Sequence, residues 1–286
     1  MATKKLSGAY VRINSHYPQL LPTEKKLADY INRNAEKLET LSISDLADNA
    51  GVSKATVTRF CKHLGYSGFK DFRMSAIRDI LSGKGEGPRN PDLKSADVGE
   101  LIVNICEANA NACTGTELLL DAESVSHAAD LMIGADRIFI FGEGAVAPLA
   151  LDLNQKMLRL GYLCVHTLDR RLQKMHAALC NPGDVAVLFD LSGSTRSTWE
   201  VASSLKERGI STITICNTIG SPLSKEGTIN LFGPGRMNSD ITGTLSPRIA
   251  LLCVVDCIFT VILNRTIGQR QEALDRTRQV ILDDWV

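Results

Sequence analysis

Between Ser53 and Lys62 the chain reads SKATVTRFCK, which sets cations and hydroxyls at helical spacing on one short stretch. Lys54 and Arg59 can donate to guanine edges or to phosphates. Ser53 and Thr56 suit phosphate oxygens, and the Thr56 methyl also suits a thymine methyl. Thr58 lies on the same outward, N-terminal side. Lys62, His63 and Lys70 are placed to touch a sugar-phosphate backbone. The chemistry on offer is that of a helix lying in the major groove of double-stranded DNA.

A second set of residues could hold a small ligand. Gly142, Glu143 and Gly144 follow an apolar run directly. Two glycines after a strand let backbone approach a ligand closely and open the next helix. Asp190, Ser192, Gly193, Ser194 and Thr195 follow another such run, just before a helical pattern. Hydroxyls together with backbone N–H groups at a helix start form an anion cradle.

The first set needs a helix-turn-helix to present it, and the segment Ile43 to Cys61 reads as one. Leu46, Ala47 and Ala50 share one helical face; Val57, Phe60 and Leu64 share another. Gly51 lies between them and can take the positive φ of a tight turn. Ala47 is small where the second helix passes, and Ser53 is placed to cap that helix. A helix is expected over Thr23–Leu38, with Thr23 as cap after Pro22, and another from about Gly68. Ser82 to Asp92 holds three glycines and two prolines among charges and reads as a linker.

The second set needs a sheet. After helices at Asp97–Leu120 and Glu123–Ile133, short apolar runs alternate with helical patterns. The runs are Arg137–Phe141, Tyr162–His166, Val185–Phe189, Ser211–Cys216 and Thr228–Leu231. Helices are expected near Pro148–Leu160, Leu172–Cys180, Ser197–Arg208 and Ser221–Lys225. This alternation predicts an α/β domain, a five-stranded parallel sheet flanked by helices on both faces. Ser246 and Pro247 are read as cap and first residue of a last, very apolar helix. The expected division is 1–81, linker 82–96, and 97–286.

Composition narrows the rest. A chain of 286 residues suits two domains. No apolar run approaches the roughly 18 residues of a membrane span, and no secretory leader is read at the N-terminus. The eight cysteines form no CxxC pair, which predicts buried thiols in a reducing cytosol and neither metal nor cofactor. The net charge of zero divides unevenly: residues 1–90 carry net +6 and residues 91–286 net −6. A basic first part suits a polyanionic partner.

On these residues the chain resembles the RpiR family of bacterial transcriptional regulators, which join a helix-turn-helix to a SIS (sugar isomerase) domain that senses phosphosugars. The resemblance rests on Val52–Phe72, on the Gly142–Gly144 turn and on Leu191–Thr195. It rests further on Asn217 with Ser221-Pro222-Leu223, and on Ser246–Ala250 with Asp256. It implies a cytoplasmic regulator of sugar metabolism, with no catalysis, whose DNA affinity is set by a sugar phosphate or sugar derivative. Because one helix-turn-helix buries too little surface for a usable specificity ratio, a homodimer or tetramer on a pseudo-palindromic operator is expected, with no membrane partner. Three positions depart from the family. Val146 and Asp190 stand where serines commonly donate to the sugar's phosphate, and Arg171 stands where a histidine is common, although Gln173 fits. The effector is therefore expected to be either a phosphosugar on Ser192, Ser194, Thr195 and backbone, or an unphosphorylated or cationic sugar derivative whose hydroxyl or amino groups donate to Asp190. The alternative is a SIS-type isomerase, for which Glu143, His166 and His176 are the available bases.

Overall fold

A computed structural model of the chain describes residues 8–81, 97–235 and 245–283. The linker expected at 82–96 lies outside the described residues. The chain divides into two compact units. One comprises Met1–Leu119 with Pro234–Ala250, the other Leu120–Gly233 with Leu251–Val286.

In the first unit the expected helix-turn-helix is present. Helix α1 spans Ala9–His16, α2 Pro22–Arg33, α3 Ile43–Ala50, α4 Lys54–His63 and α5 Phe69–Leu81. Ser42 starts α3, its hydroxyl accepting from Asp45 N at 3.2 Å while its own N–H donates to the Asp45 carboxylate at 3.0 Å. Gly51 ends α3 at φ +64°, and Val52 N and Gly51 N donate to Ala47 O and Asp48 O. That is the bonding of a Schellman motif. No atom lies within 4 Å of where a Gly51 Cβ would sit, so glycine is required by conformation and not by space. Leu46, Ala47, Val57, Phe60 and Leu64 are all buried, as their spacing predicts. Phe72 of α5 packs edge-on against Phe60 and Tyr66.

The ends of α2 differ from the expectation. Thr23 is not its cap: the helix begins at Pro22, and Leu21 N donates to the Glu24 carboxylate at 3.0 Å. The helix stops at Asn34, whose amide turns back to Tyr30 O at 3.0 Å. Ala35–Glu39 forms a separate 3₁₀ turn. Helix α1, which the sequence reading left out, starts where Ala9 N and Tyr10 N donate to the buried Asp79 carboxylate of α5, at 2.5 and 3.3 Å. Helix α6, Val98–Leu119, also groups with this unit.

In the second unit five parallel strands stand in the order β2-β1-β3-β4-β5. They are β1 Ile138–Phe141, β2 Cys164–His166, β3 Val185–Asp190, β4 Ser211–Cys216 and β5 Ile229–Phe232. Alternate side chains go to opposite faces. Ile138, Ile140, Val187 and Ile213 pack with α7 (Ala122–Gly134), α8 (Ala147–Arg159) and α11 (Leu245–Asp283). Phe139, Phe141, Ala186 and Leu188 pack with α9 (Arg170–Ala178) and α10 (Arg196–Glu207). Both faces are covered, which is why every residue of β3 is buried.

Three expectations need correction here. The helix read at Ser221–Lys225 is only a 3₁₀ turn, Leu223–Lys225. Ser246 is inside α11, which already runs from Leu245, so it is not that helix's cap. By length and composition α11 could cross a bilayer, contrary to the expectation, but such a helix also suits a soluble core. Leu251, Val254, Val255, Ile258 and Ile262 are fully buried against the sheet, which accounts for its apolar run. Of the eight free thiols, Cys61, Cys180 and Cys216 are buried while Cys106 and Cys113 are exposed, so burial does not explain them all.

Candidate functional site

Helix α4 presents its polar side as its capping dictates. Ser53 Oγ accepts from Thr56 N at 3.1 Å and is 2.9 Å from Thr56 Oγ1. That pairing holds Thr56 inward, and it is buried, four residues from the core residue Phe60. Thr56 is therefore not presented for contact with a thymine methyl or phosphate. Thr58 Oγ1 donates back to Lys54 O at 3.1 Å, a local bond that keeps it on the helix. Ser53, Lys54, Arg59, Lys62, His63 and Lys70 are exposed.

Arg59 has a partner that spacing along α4 does not disclose. Its Nε lies 3.5 Å from Glu24 of α2, whose carboxylate is buried, while the arginine side chain is 59% exposed. His63, one helical turn on, approaches the other Glu24 oxygen at 3.5 Å. With Leu21 N, Glu24 has three partners. A buried carboxylate needs such partners, and in meeting that need it fixes the stem of Arg59 and leaves its outer amino groups facing solvent. The available signal in the sequence was Glu24 at the third helical position, two residues after Pro22, which marks a helix start and nothing more.

In the second unit the carboxyl ends of β1 and β3 lie side by side, because the strand order reverses between them. Gly142 is buried, and a Cβ there would come within 3.1 Å of Ala150 and 3.3 Å of Phe189. Its smallness serves packing rather than approach to a ligand. Gly144 is exposed with φ +60° and carries the chain into α8. Val146 packs into the core and offers no polar group. Glu143 is not a free turn residue. It accepts from Arg170 Nε at 2.7 Å and from the Ser197 hydroxyl, which ties the β1 turn to α9 and α10.

The turn after β3 closes on its own carboxylate. Asp190, 5% exposed, accepts at Oδ1 from Ser192 N (3.0 Å) and Ser192 Oγ (3.1 Å), and at Oδ2 from Thr195 N (2.7 Å). Ser192 Oγ in turn accepts from Ser194 N at 3.0 Å. Gly193 has φ +66°, and a Cβ there would lie 2.2 Å from Ser221 Oγ, so only glycine fits. Asn217 N donates to Leu191 O and Leu223 N to Gly193 O, at 3.0 and 2.9 Å, which clamps the turn to the end of β4. Beneath it burial pushes the Cys216 thiol up to about 11, with the Asp190 charge adding to the rise.

A small open cleft lies between the β1 turn and the N-terminal halves of α9 and α10, lined by Glu143, Arg170, Gln173, Lys174, Ser197, Thr198 and Val201. The Gln173 amide donates to Gly142 O and Thr167 O, at 3.1 and 2.9 Å, so it positions backbone. Lys174 and Arg196 both pair with Glu200 and hold its carboxyl below the usual range. Arg171 is exposed. His166 Nδ1 is bonded to Ile140 O at 3.1 Å, and His176 packs edge-on against Phe139, which gives both structural work. Arg170, Lys174 and Ser197 were not singled out from the sequence, where they read as ordinary charged or capping residues at helix starts. A second pocket, in the first unit, is lined by Tyr10, Asn14, Asn111, Thr114 and Ser246 among others, has no charged side chain in its lining and shares no residue with either set.

Residues 8–83 match the helix-turn-helix domain of the rpiR family, and residues 131–261 match the SIS domain. The HTH-type transcriptional regulator HexR of Pseudomonas aeruginosa is 30% identical over 274 residues, covering 95% of this chain and 94% of that protein. HexR of Escherichia coli is 28% identical over 270 residues, covering 94% and 93%. In overall structure the chain is similar to the NanR protein of Vibrio vulnificus complexed with ManNAc-6P. Their TM-score is 0.62 at 24% identity, covering 98% of this chain and 100% of that one. The sugar isomerase domain of an RpiR transcription factor from Sphaerobacter thermophilus matches 63% of this chain and 98% of its own. Its TM-score is 0.57 at 20% identity.

Proposed function

We propose, from the premise that this chain belongs to the RpiR family of helix-turn-helix transcriptional regulators, a one-chain sugar sensor for transcription. Its α4 enters the major groove of a pseudo-palindromic operator, with Lys54 and Arg59 at base edges or phosphates and Ser53, Thr58, Lys62 and Lys70 at the backbone. Residues 1–81 carry that contact and residues 97–286 sense the effector. A helix-turn-helix match that ends at residue 83 supports the boundary.

The effector is a sugar phosphate or sugar derivative bound where the β1 and β3 ends meet, among Gly142, Glu143, Gly144, Asp190, Ser192, Gly193, Ser194 and Thr195. The observation that carries this is the meeting of the β1 and β3 carboxyl ends at the topological switch of the sheet, with a cleft beside it that Glu143 lines together with Arg170, Lys174 and Ser197. The ManNAc-6P complex of NanR supports the ligand class. The effector changes DNA affinity only as far as it binds the two arrangements of the protein differently.

The chain works without turning over sugar. Glu143, the one carboxylate in the cleft lining, has both oxygens engaged by Arg170 and Ser197 and is poorly placed to carry a proton between carbons. A panel of hexose and pentose phosphates and their free sugars, titrated into protein bound to fluorescent operator DNA, tests the reading. At least one should shift operator affinity fivefold or more, with no isomer formed in a coupled assay. Turnover that is lost in Glu143→Gln would replace the sensor with an enzyme.

A further inference from the structure

The turn after β3 holds an anion already. The donors that could hold a phosphate there point instead at Asp190: Ser192 N, Ser192 Oγ and Thr195 N all end on its carboxylate, and Ser194 N ends on Ser192 Oγ. Asp190 is the last residue of β3, so the strand itself delivers the carboxylate to this position. Asn217 and Leu223 fix the turn from β4's side, and Gly193 packs against Ser221 too closely for the loop to swing that way.

From this geometry we infer that Asp190 is a resident anion that determines specificity: the Ser192–Thr195 turn of this chain turns phosphate away and receives hydroxyl or amino groups of a sugar. This rests on the sensor reading and narrows its ligand. A phosphate entering the turn would have to take donors from a carboxylate and sit beside its charge. A hydroxyl or ammonium group meets the opposite situation. Three donors leave one acceptor direction of the carboxylate open, since an ionised carboxylate offers about four. The Ser194 and Thr195 hydroxyls can bond the same ligand from the rim, as neither group is engaged among the described residues.

The test uses the full chain and three probes: inorganic phosphate, glucose 6-phosphate and glucose. Titration of the wild-type protein followed by amide NMR should leave Ser192 N, Ser194 N and Thr195 N unmoved by inorganic phosphate up to millimolar levels. Calorimetry on Asp190→Ser should show phosphate or glucose 6-phosphate binding at least tenfold tighter than to wild type. Asp190→Asn, which keeps an acceptor for the turn and removes the charge, should move in the same direction. Phosphate-induced shifts at those three amides in the wild type would overturn the inference, as would phosphosugar affinity unchanged or weakened in both variants. Operator binding, measured alongside, separates the outcomes: a chain that binds no DNA defeats the sensor reading, whatever Asp190 does.

Discussion

Arg59 answers to two partners, Glu24 at 3.5 Å in the folded chain and a base edge or phosphate in the proposed complex. Replacing it by alanine should cost about 1–3 kcal/mol of specific operator affinity. Glu24→Gln tells positioning from support. It removes the charge that orients the guanidinium and keeps an acceptor for Leu21 N. Specific affinity should fall while binding to random-sequence DNA and the unfolding midpoint hold; fluorescence anisotropy with both DNAs and a thermal melt check it. A parallel loss in all three would make Glu24 a structural residue only. At this scale the sequence was legible wherever partners are near in number. Gly51's left-handed turn and Ser53's cap join residues within five positions, whereas Thr56, read as an outward DNA contact, is turned inward by its pairing with Ser53. The pairing of Arg59 with Glu24, 35 positions away, had no such signal.

Elements follow the same logic of local against distant causes. The Ser42–Asp45 box starts α3 and so sets the angle at which α4 is offered. Ser42→Ala should lower stability by about 1 kcal/mol and the melting midpoint by a few degrees, read by circular dichroism. Bonds from Ser42 hold the Asp45 carboxyl below its usual range. A carboxyl with a lowered folded-state pKa stabilises above its unfolded value and loses that contribution as pH falls through the folded one. The wild-type advantage over Ser42→Ala should therefore shrink in acid, and an advantage that persists there would mean Asp45 plays no part. The strands were readable as short, wholly apolar runs between helical patterns, because helices cover both faces: Ile138 and Ile140 pack on one side, Phe139 and Phe141 on the other. The break of α2 at Asn34 and the start of α1 under Asp79 were not, since one is a side chain competing with the helix and the other a contact 70 positions away.

For the whole molecule, one recognition helix would contact too little DNA for a useful specificity ratio, so the proposed function predicts two copies acting together. Sedimentation of the full chain should give a dimer or larger. If Lys54, Lys62 and Lys70 of two copies each meet a phosphate, as proposed, about six contacts form and operator affinity should fall about 10³-fold between 50 and 200 mM salt. A monomer on DNA, or a nearly flat salt dependence, would contradict this assembly. The charge division, net +6 in residues 1–90 and net −6 beyond, made that prediction available from composition alone.

By itself the sequence determined the helix-turn-helix, the five apolar strands and the two turns proposed to hold the effector, because apolar runs, caps and glycines act over a few residues. Only the tertiary structure decided what those turns do. Strand order brought the β1 and β3 ends together, Glu24 came within 3.5 Å of Arg59, and the fold of the turn closed three donors on Asp190. Each depends on where a side chain points once distant segments have packed, and no spacing along the chain encodes that direction.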